Sequence, residues 1–171
     1  MTHARMRGVL AYVALGSNLG DRRAMLRAAC ERIDATRGLR LLRTSQVWET
    51  AAVGPPQPDY LNAVAEVEAC LTPRAHLAAL HRIEAALGRV RDPATRWTAR
   101  TLDLDLLWQG GLALQRGDLV LPHPRITERS FVLAPLAELA PDLTLEGRTV
   151  REWLEARPEE ERAGVRRVGP L

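Results

Sequence analysis

Asp103 and Asp105 are the residues whose type and spacing could do chemistry. They lie in Arg100-Thr101-Leu102-Asp103-Leu104-Asp105-Leu106-Leu107, where apolar and polar residues alternate. That alternation marks a half-buried strand, with Leu102, Leu104 and Leu106 on one face and Thr101, Asp103 and Asp105 on the other. Two residues along a strand span about 6.7 Å. Carboxylates at that spacing repel each other unless a cation sits between them. A hard divalent ion such as Mg2+ takes one or two carboxylates and fills its shell with water and phosphate oxygens. Any antiparallel strand with one wet face shows the same alternation. Asp is a poor strand former, however, so a pair of them in mid-strand needs a reason. Arginines also crowd the segment: Arg89, Arg91, Arg96 and Arg100, with Trp97 among them. His123, Arg125 and Arg129 form a third group around Leu121-Pro122-His123-Pro124-Arg125. An acidic pair ringed by guanidiniums makes sense if a polyanion bridges them. A nucleoside triphosphate with Mg2+ places metal oxygens on the Asp pair and phosphate oxygens on the arginine forks.

A second ligand is suggested by the remaining polar and aromatic residues. Tyr60 and Asn62 point the same way from one strand by the period-two rule. Thr50 and Val53 lie in the adjoining loop rich in Pro and Gly, and Phe131 opens a helix just after Arg129.

These groups need a scaffold. A buried strand near residues 8–15 runs into Gly16-Ser17-Asn18-Leu19-Gly20-Asp21, which is turn chemistry ending in a helix cap. The helix stops near Gly38, and a second strand covers about 39–49. Residues 50–59 are too proline-rich for anything but a loop, and residues 60–68 read as a third strand. Thr72-Pro73 opens a second helix, with proline at its favoured first position, and Gly88 ends it. An arginine-rich loop leads to the aspartate strand. A short hairpin is expected at 109–114 and a short helix at 131–139. The charge-dense stretch 157–171 is expected to be a loosely held tail on a single domain, 1–171. The order β-α-β-β-α-β is that of the ferredoxin-like split βαβ motif. The expected fold is therefore α+β: a ferredoxin-like βαββαβ core, an antiparallel sheet with helices, plus C-terminal additions.

Composition narrows the chemistry. All 24 basic residues are arginine, which excludes a Schiff-base lysine, a lysine general base and the lysine-dependent P-loop. A formal charge of +3 gives no strong case for a nucleic-acid partner. Cys30 and Cys70 lack metal-ligand spacing and read as buried structural thiols. No apolar run reaches membrane-span length, so no membrane partner and a cytoplasmic location are expected.

Four motifs occur in order: Tyr12-Val13-Ala14-Leu15-Gly16-Ser17-Asn18-Leu19-Gly20; Pro58-Asp59-Tyr60-Leu61-Asn62-Ala63; Arg96-Trp97 with Arg100 to Asp105; and Leu121 to Arg125. Together they resemble the 6-hydroxymethyl-7,8-dihydropterin pyrophosphokinase family of folate biosynthesis, over residues 12–141. The resemblance implies Mg-dependent transfer of diphosphate from ATP to the pterin hydroxymethyl group, releasing AMP. Separately, a monomer is expected. The resemblance also implies that Asp103 and Asp105 hold two Mg2+ ions. Arg89 and Arg100 would be the chief positive groups on the phosphates. Glu84, Arg91, Trp97, His123 and Arg129 would contact or enclose ATP. Thr50, Val53, Tyr60, Asn62 and Phe131 would form the pterin pocket. The chain departs from the family pattern at Ala51-Ala52 and Thr98-Ala99, where prolines and Gly-Pro are usual. Two other classes fit parts of the pattern. A ferredoxin-like nucleic-acid module would leave the Asp pair unexplained, and a sugar-nucleotide transferase would need a nucleotide-binding α/β domain that the element order does not supply.

Overall fold

A computed structural model describes residues 7–89 and 102–171. Strand β1 (Val9–Ser17) is followed by α1 (Arg22–Asp34), β2 (Leu39–Thr44), β3 (Val47–Thr50), β4 (Tyr60–Ala69) and α2 (Pro73–Ala86). Then come β5 (Asp103–Gln109), β6 (Leu114–Arg116), β7 (Leu119–Leu121) and α3 (Ser130–Leu139). The chain closes with β8 (Thr144–Leu145), β9 (Arg148–Thr149), α4 (Val150–Glu155), α5 (Glu159–Ala163) and β10 (Val165–Gly169). The main sheet runs β10-β3-β4-β1-β5, with β2 paired to the far half of β4, and every pairing is antiparallel. This is the expected α+β, ferredoxin-like arrangement.

Local signals account for the helices. Asp21 caps α1 by accepting from Ala24 N at 3.0 Å, and Thr72 caps α2 by accepting from Ala75 N, with Pro73 at the first position. Leu26, Ala29, Cys30 and Ile33 fall at helical spacing and are buried, which docks α1 on the sheet.

The sheet has two differently covered faces. Leu15, Ala63 and Leu104 belong to a core with α1 and α2 on one side. On the other side, Tyr12, Val64 and Leu107 pack against Val132, Leu133 and Leu136 of α3, with α4 alongside. Helix α3 covers only part of that face. The rest carries Thr50, Tyr60, Asn62, Gly16, Asp103 and Asp105.

The structure departs from the sequence expectations in four places. The strand expected at 39–49 is two strands, broken at Ser45. There the Ser45 hydroxyl accepts from Val64 N at 2.9 Å and so takes a ladder donor of β4. The hairpin expected at 109–114 lies one step later, as β6 and β7 around Gly117, whose φ of 61° suits a tight turn. Cys70 is exposed, whereas Cys30 is buried and its thiol is pushed up to about 12 by burial. Residues 157–171 are not a loose tail but carry α5 and β10, the latter paired with β3.

His76 is a buried polar residue outside the site. Gln109 Nε2 donates to Leu71 O at 2.8 Å, which turns the Gln109 carbonyl toward His76 Nδ1, also at 2.8 Å. Nδ1 therefore carries the proton, and Nε2 has no hydrogen-bond partner among the described residues. Burial lowers the His76 pKa, and the bond to Gln109 only partly opposes this. A histidine whose folded pKa is depressed binds more protons when unfolded, so stability falls as pH drops below its ordinary value near 6.5. Replacing His76 with Met removes that dependence. From pH 7 to pH 5, denaturant melts should shift in favour of His76→Met by up to about 1.4 kcal/mol per pH unit. A pH-independent difference would contradict the assignment.

Candidate active site

Strand register builds the site. Trp48 pairs with Asn62, Asn62 with Gly16, and Gly16 with Asp103, so one row crosses β3, β4, β1 and β5 on a single face. The next position on β5, Asp105, pairs with Ala14, and on β4 Tyr60 pairs with Thr50. Adjacent strands lie about 4.8 Å apart, so Asn62 and Asp103 stand roughly 10 Å from each other across Gly16. A Cβ at Gly16 would sit 3.4 Å from Asn62 Oδ1 and 3.6 Å from the Tyr60 ring. This glycine therefore keeps the floor low between the polar wall of β4 and the carboxylates of β5.

Asp103 and Asp105 point to the same side, as their spacing predicts. Burial pushes the Asp105 carboxyl up to about 7, and Asp103 and Glu84 add to the shift against Arg129 and Arg89. A carboxylate pair that resists carrying two charges is suited to a divalent cation. Among the described residues no group of three or more His, Cys, Asp or Glu side chains forms a closed metal cage. Two carboxylates with the remaining positions open fit Mg2+, which keeps waters and substrate phosphates in its shell.

Arg89 is wedged between two acids. Its Nη1 donates to Glu84 Oε2 at 2.6 Å and to Asp103 Oδ1. Burial works against the charge, but Asp103, Glu84 and Asp105 together raise its pKa. Glu84 is 1% exposed, and its other oxygen accepts from Leu104 N at 3.0 Å on β5. Glu84 therefore braces Arg89 and the β5 edge.

His123 follows the cis Leu121-Pro122 bond. Its Nδ1 accepts from Arg125 N at 3.1 Å, which leaves the proton on Nε2. Burial, then Arg129 and Arg125, lower its pKa to about 4 against the pull of Asp103. The ring is neutral near pH 7 and offers an uncharged N–H donor. Arg129 precedes α3. Burial lowers its pKa while Asp105 opposes the shift, and its guanidinium lies 5.6 Å from the Phe131 ring centroid.

On the acceptor side, Asn62 Nδ2 donates to Thr50 Oγ1 at 3.0 Å, and both residues are buried. Phe131 is half-buried against the α3 cluster. Val53 is 66% exposed, so the structure does not bring it into a wall with the others. Arg91, Trp97 and Arg100 lie outside the described residues. Sequence reasoning missed Asn18, which is 1% exposed and donates to Gln57 Oε1 at 2.9 Å and Pro58 O at 3.0 Å, fixing the proline-rich loop. It also missed Arg22, Glu49 and Glu161. The signal for Asn18 was a polar residue directly after a buried strand, and the others gave no local signal.

A family model described as 7,8-dihydro-6-hydroxymethylpterin-pyrophosphokinase (HPPK) matches residues 12–141. A Methylorubrum extorquens protein named 2-amino-4-hydroxy-6-hydroxymethyldihydropteridine pyrophosphokinase is 47% identical over 145 residues, covering 84% of this chain and 90% of that one. A Haemophilus influenzae protein of the same name is 44% identical over 138 residues, covering 80% and 85%. A solved HPPK-DHPS structure in complex with substrates superposes with a TM-score of 0.73 at 10% identity, covering 94% of this chain and 46% of that one. The wild-type Plasmodium falciparum HPPK-DHPS gives 0.67 at 12% identity, covering 90% and 42%. The chain thus spans about half the length or less of these two solved proteins. At such identities they support the fold alone.

Proposed function

Because the chain belongs to the 7,8-dihydro-6-hydroxymethylpterin-pyrophosphokinase family, it transfers a pyrophosphoryl group to hydroxymethyldihydropterin in folate biosynthesis, and we propose that the half-open sheet face is where it does so. The observation that carries this reading is the row Asn62, Gly16, Asp103, which sets a polar acceptor wall two strands from an acidic pair.

Asp103 and Asp105 are the residues to hold Mg2+, with two ions expected. Bound there, the metal would supply charge neutralisation for the triphosphate. The chain's own groups do the positioning. Thr50, Tyr60, Asn62 and Phe131 hold the pterin so that its hydroxymethyl oxygen faces the β-phosphorus of ATP. That oxygen forms a bond to the β-phosphorus and releases its proton to solvent, the bond from the β-phosphorus to the α,β-bridging oxygen breaks, and that oxygen leaves with AMP. Transition states of this kind are usually loose, so orientation and charge dominate. Arg89 and Arg129 supply positive charge on the phosphate side, and neutral His123 donates through Nε2–H without adding to it. No described side chain stands out as a general base. The arginine-rich segment 90–101, with Arg91, Trp97 and Arg100, is proposed to contribute further nucleotide contacts.

The test is product analysis. With ATP, Mg2+ and 6-hydroxymethyl-7,8-dihydropterin, AMP and the pterin diphosphate should form in equal amounts. Formation of ADP, or AMP release that does not depend on the pterin, would overturn the reading.

A further inference from the structure

Helix α3 begins without a cap of its own. Its N-cap position is Arg129, whose side chain makes no capping bond. The missing acceptor comes from 31 residues further on: Glu161 Oε1 accepts from Ser130 N at 3.0 Å and from Ser130 Oγ at 2.9 Å. Ser130 is 1% exposed and sits between Arg129 and Phe131. A carboxylate there also meets the positive end of the α3 dipole. Glu161 is in turn fixed by Arg157, whose Nη2 donates to Oε2 at 2.8 Å. Burial works against its charge, but Arg157 and the two Ser130 donors hold the Glu161 carboxyl below the ordinary carboxylate range.

The same C-terminal segment reaches the opposite wall. Strand β10 pairs with β3, placing Val165 beside Thr50 and Arg166 beside Glu49. Thr50 is thus held between Val165 on one side and Tyr60 on the other. Arg166 Nη2 donates to Glu49 Oε1 at 2.7 Å, and Arg22 Nη1 donates to Glu49 Oε2 at 2.9 Å. The same Arg22 nitrogen donates to Asp59 O at 2.8 Å, directly before Tyr60. Arg23 ties down the end of the strand through Val168 O and Pro170 O.

We propose that α5 and β10 form a clamp that sets the acceptor pocket, with Glu161 and Arg166 as positioning residues for Phe131 and for the Thr50–Tyr60 pair. The proposal rests on the placement of the pterin pocket given above. The clamp lies wholly beyond residue 141, where the family match ends. Glu161 holds the Ser130 N–H and hydroxyl and Arg166 holds the Glu49 carboxylate, so each acts on the pocket through the element it anchors. This predicts a larger loss for the pterin than for the nucleotide.

The test compares Glu161→Ala, Glu161→Gln, Arg166→Ala and Phe131→Ala in the full chain. Pterin binding is measured by calorimetry with Mg2+ and a non-hydrolysable ATP analogue present, and analogue binding is measured without pterin. Glu161→Ala should weaken pterin binding roughly fivefold, as expected for a lost helix cap, and leave analogue binding within about twofold. Glu161→Gln, which keeps an acceptor for Ser130 N, should recover most of the loss. Arg166→Ala should also weaken pterin more than analogue. Equal losses for both ligands, or no loss in either clamp variant while Phe131→Ala binds pterin poorly, would overturn the clamp and leave the pocket standing. Unchanged pterin binding in Phe131→Ala would remove the pocket placement and the clamp with it. If Glu161→Ala does not fold, Glu161→Gln and Arg166→Ala decide the matter by the same comparison.

Discussion

Asp105→Asn is expected to melt at a higher temperature than the unaltered, ligand-free protein while losing turnover. The Asp105 carboxyl is pushed up to about 7 by burial, then by Asp103 and Glu84. An acid whose folded pKa is raised binds more protons folded than unfolded. Its contribution to stability therefore falls as pH rises from its ordinary range near 4 toward 7. Asn keeps the shape and removes the charge. The gain should be about 1 kcal/mol near pH 7.5, or roughly 2–4 °C in Tm, and should vanish near pH 4. Mg2+ with an ATP analogue should stabilise the unaltered protein and not the variant. Turnover should fall at least ~100-fold, because one of the two carboxylates proposed to hold Mg2+ beside the reacting phosphates is gone. Scanning calorimetry across pH, with a parallel AMP assay, checks both halves. A variant that is no more stable at pH 7.5 would remove the account of carboxylate strain. One that keeps its rate would remove the metal role.

That trade between stability and activity explains why the acidic pair was legible in sequence. Two Asp residues in a strand violate local propensity, and such violations concentrate where function requires them. The same period-two reading placed Tyr60 and Asn62 on one face, and Thr72-Pro73 marked the start of α2 because capping chemistry is local. What sequence could not reveal was which distant group would satisfy a local shortage. Nothing near Ser130 announces that Glu161 will cap α3, and nothing near Glu49 announces Arg22 and Arg166. Ser45 looks like any strand residue until Val64 N is found bonded to its hydroxyl. The stretch 157–171 looked loose because its charges dominate its composition. In the structure two of those charges, Glu161 and Arg166, are committed to partners on α3 and β3. Local pattern thus located the reacting face, whereas its walls are held by long-range polar pairs.

Arg89→Met should be the most damaging single change to the site, in both stability and rate. The guanidinium is the shared counter-charge of Glu84 and Asp103, and its side chain is 10% exposed. Removing one member of a buried ion pair leaves uncompensated charge, at a cost of about 3 kcal/mol. Tm should fall by roughly 6–12 °C, and turnover by ~100-fold or more, since phosphate-side charge is lost as well. The double variant Glu84→Gln/Arg89→Met separates the two effects. The Glu84→Gln change makes that side chain neutral while keeping an oxygen that can accept from Leu104 N, as Glu84 Oε1 now does. Most of the stability should return, because one of the two stranded acids is gone and the β5 edge keeps its acceptor. The rate should not return, because no guanidinium faces the phosphates from this position. If rate recovers along with Tm, Arg89 serves the fold alone and the phosphate role passes to other arginines. If the single variant melts within about a degree of the unaltered protein, well below the shift that breaking a buried pair implies, Arg89 does not hold Glu84 to Asp103.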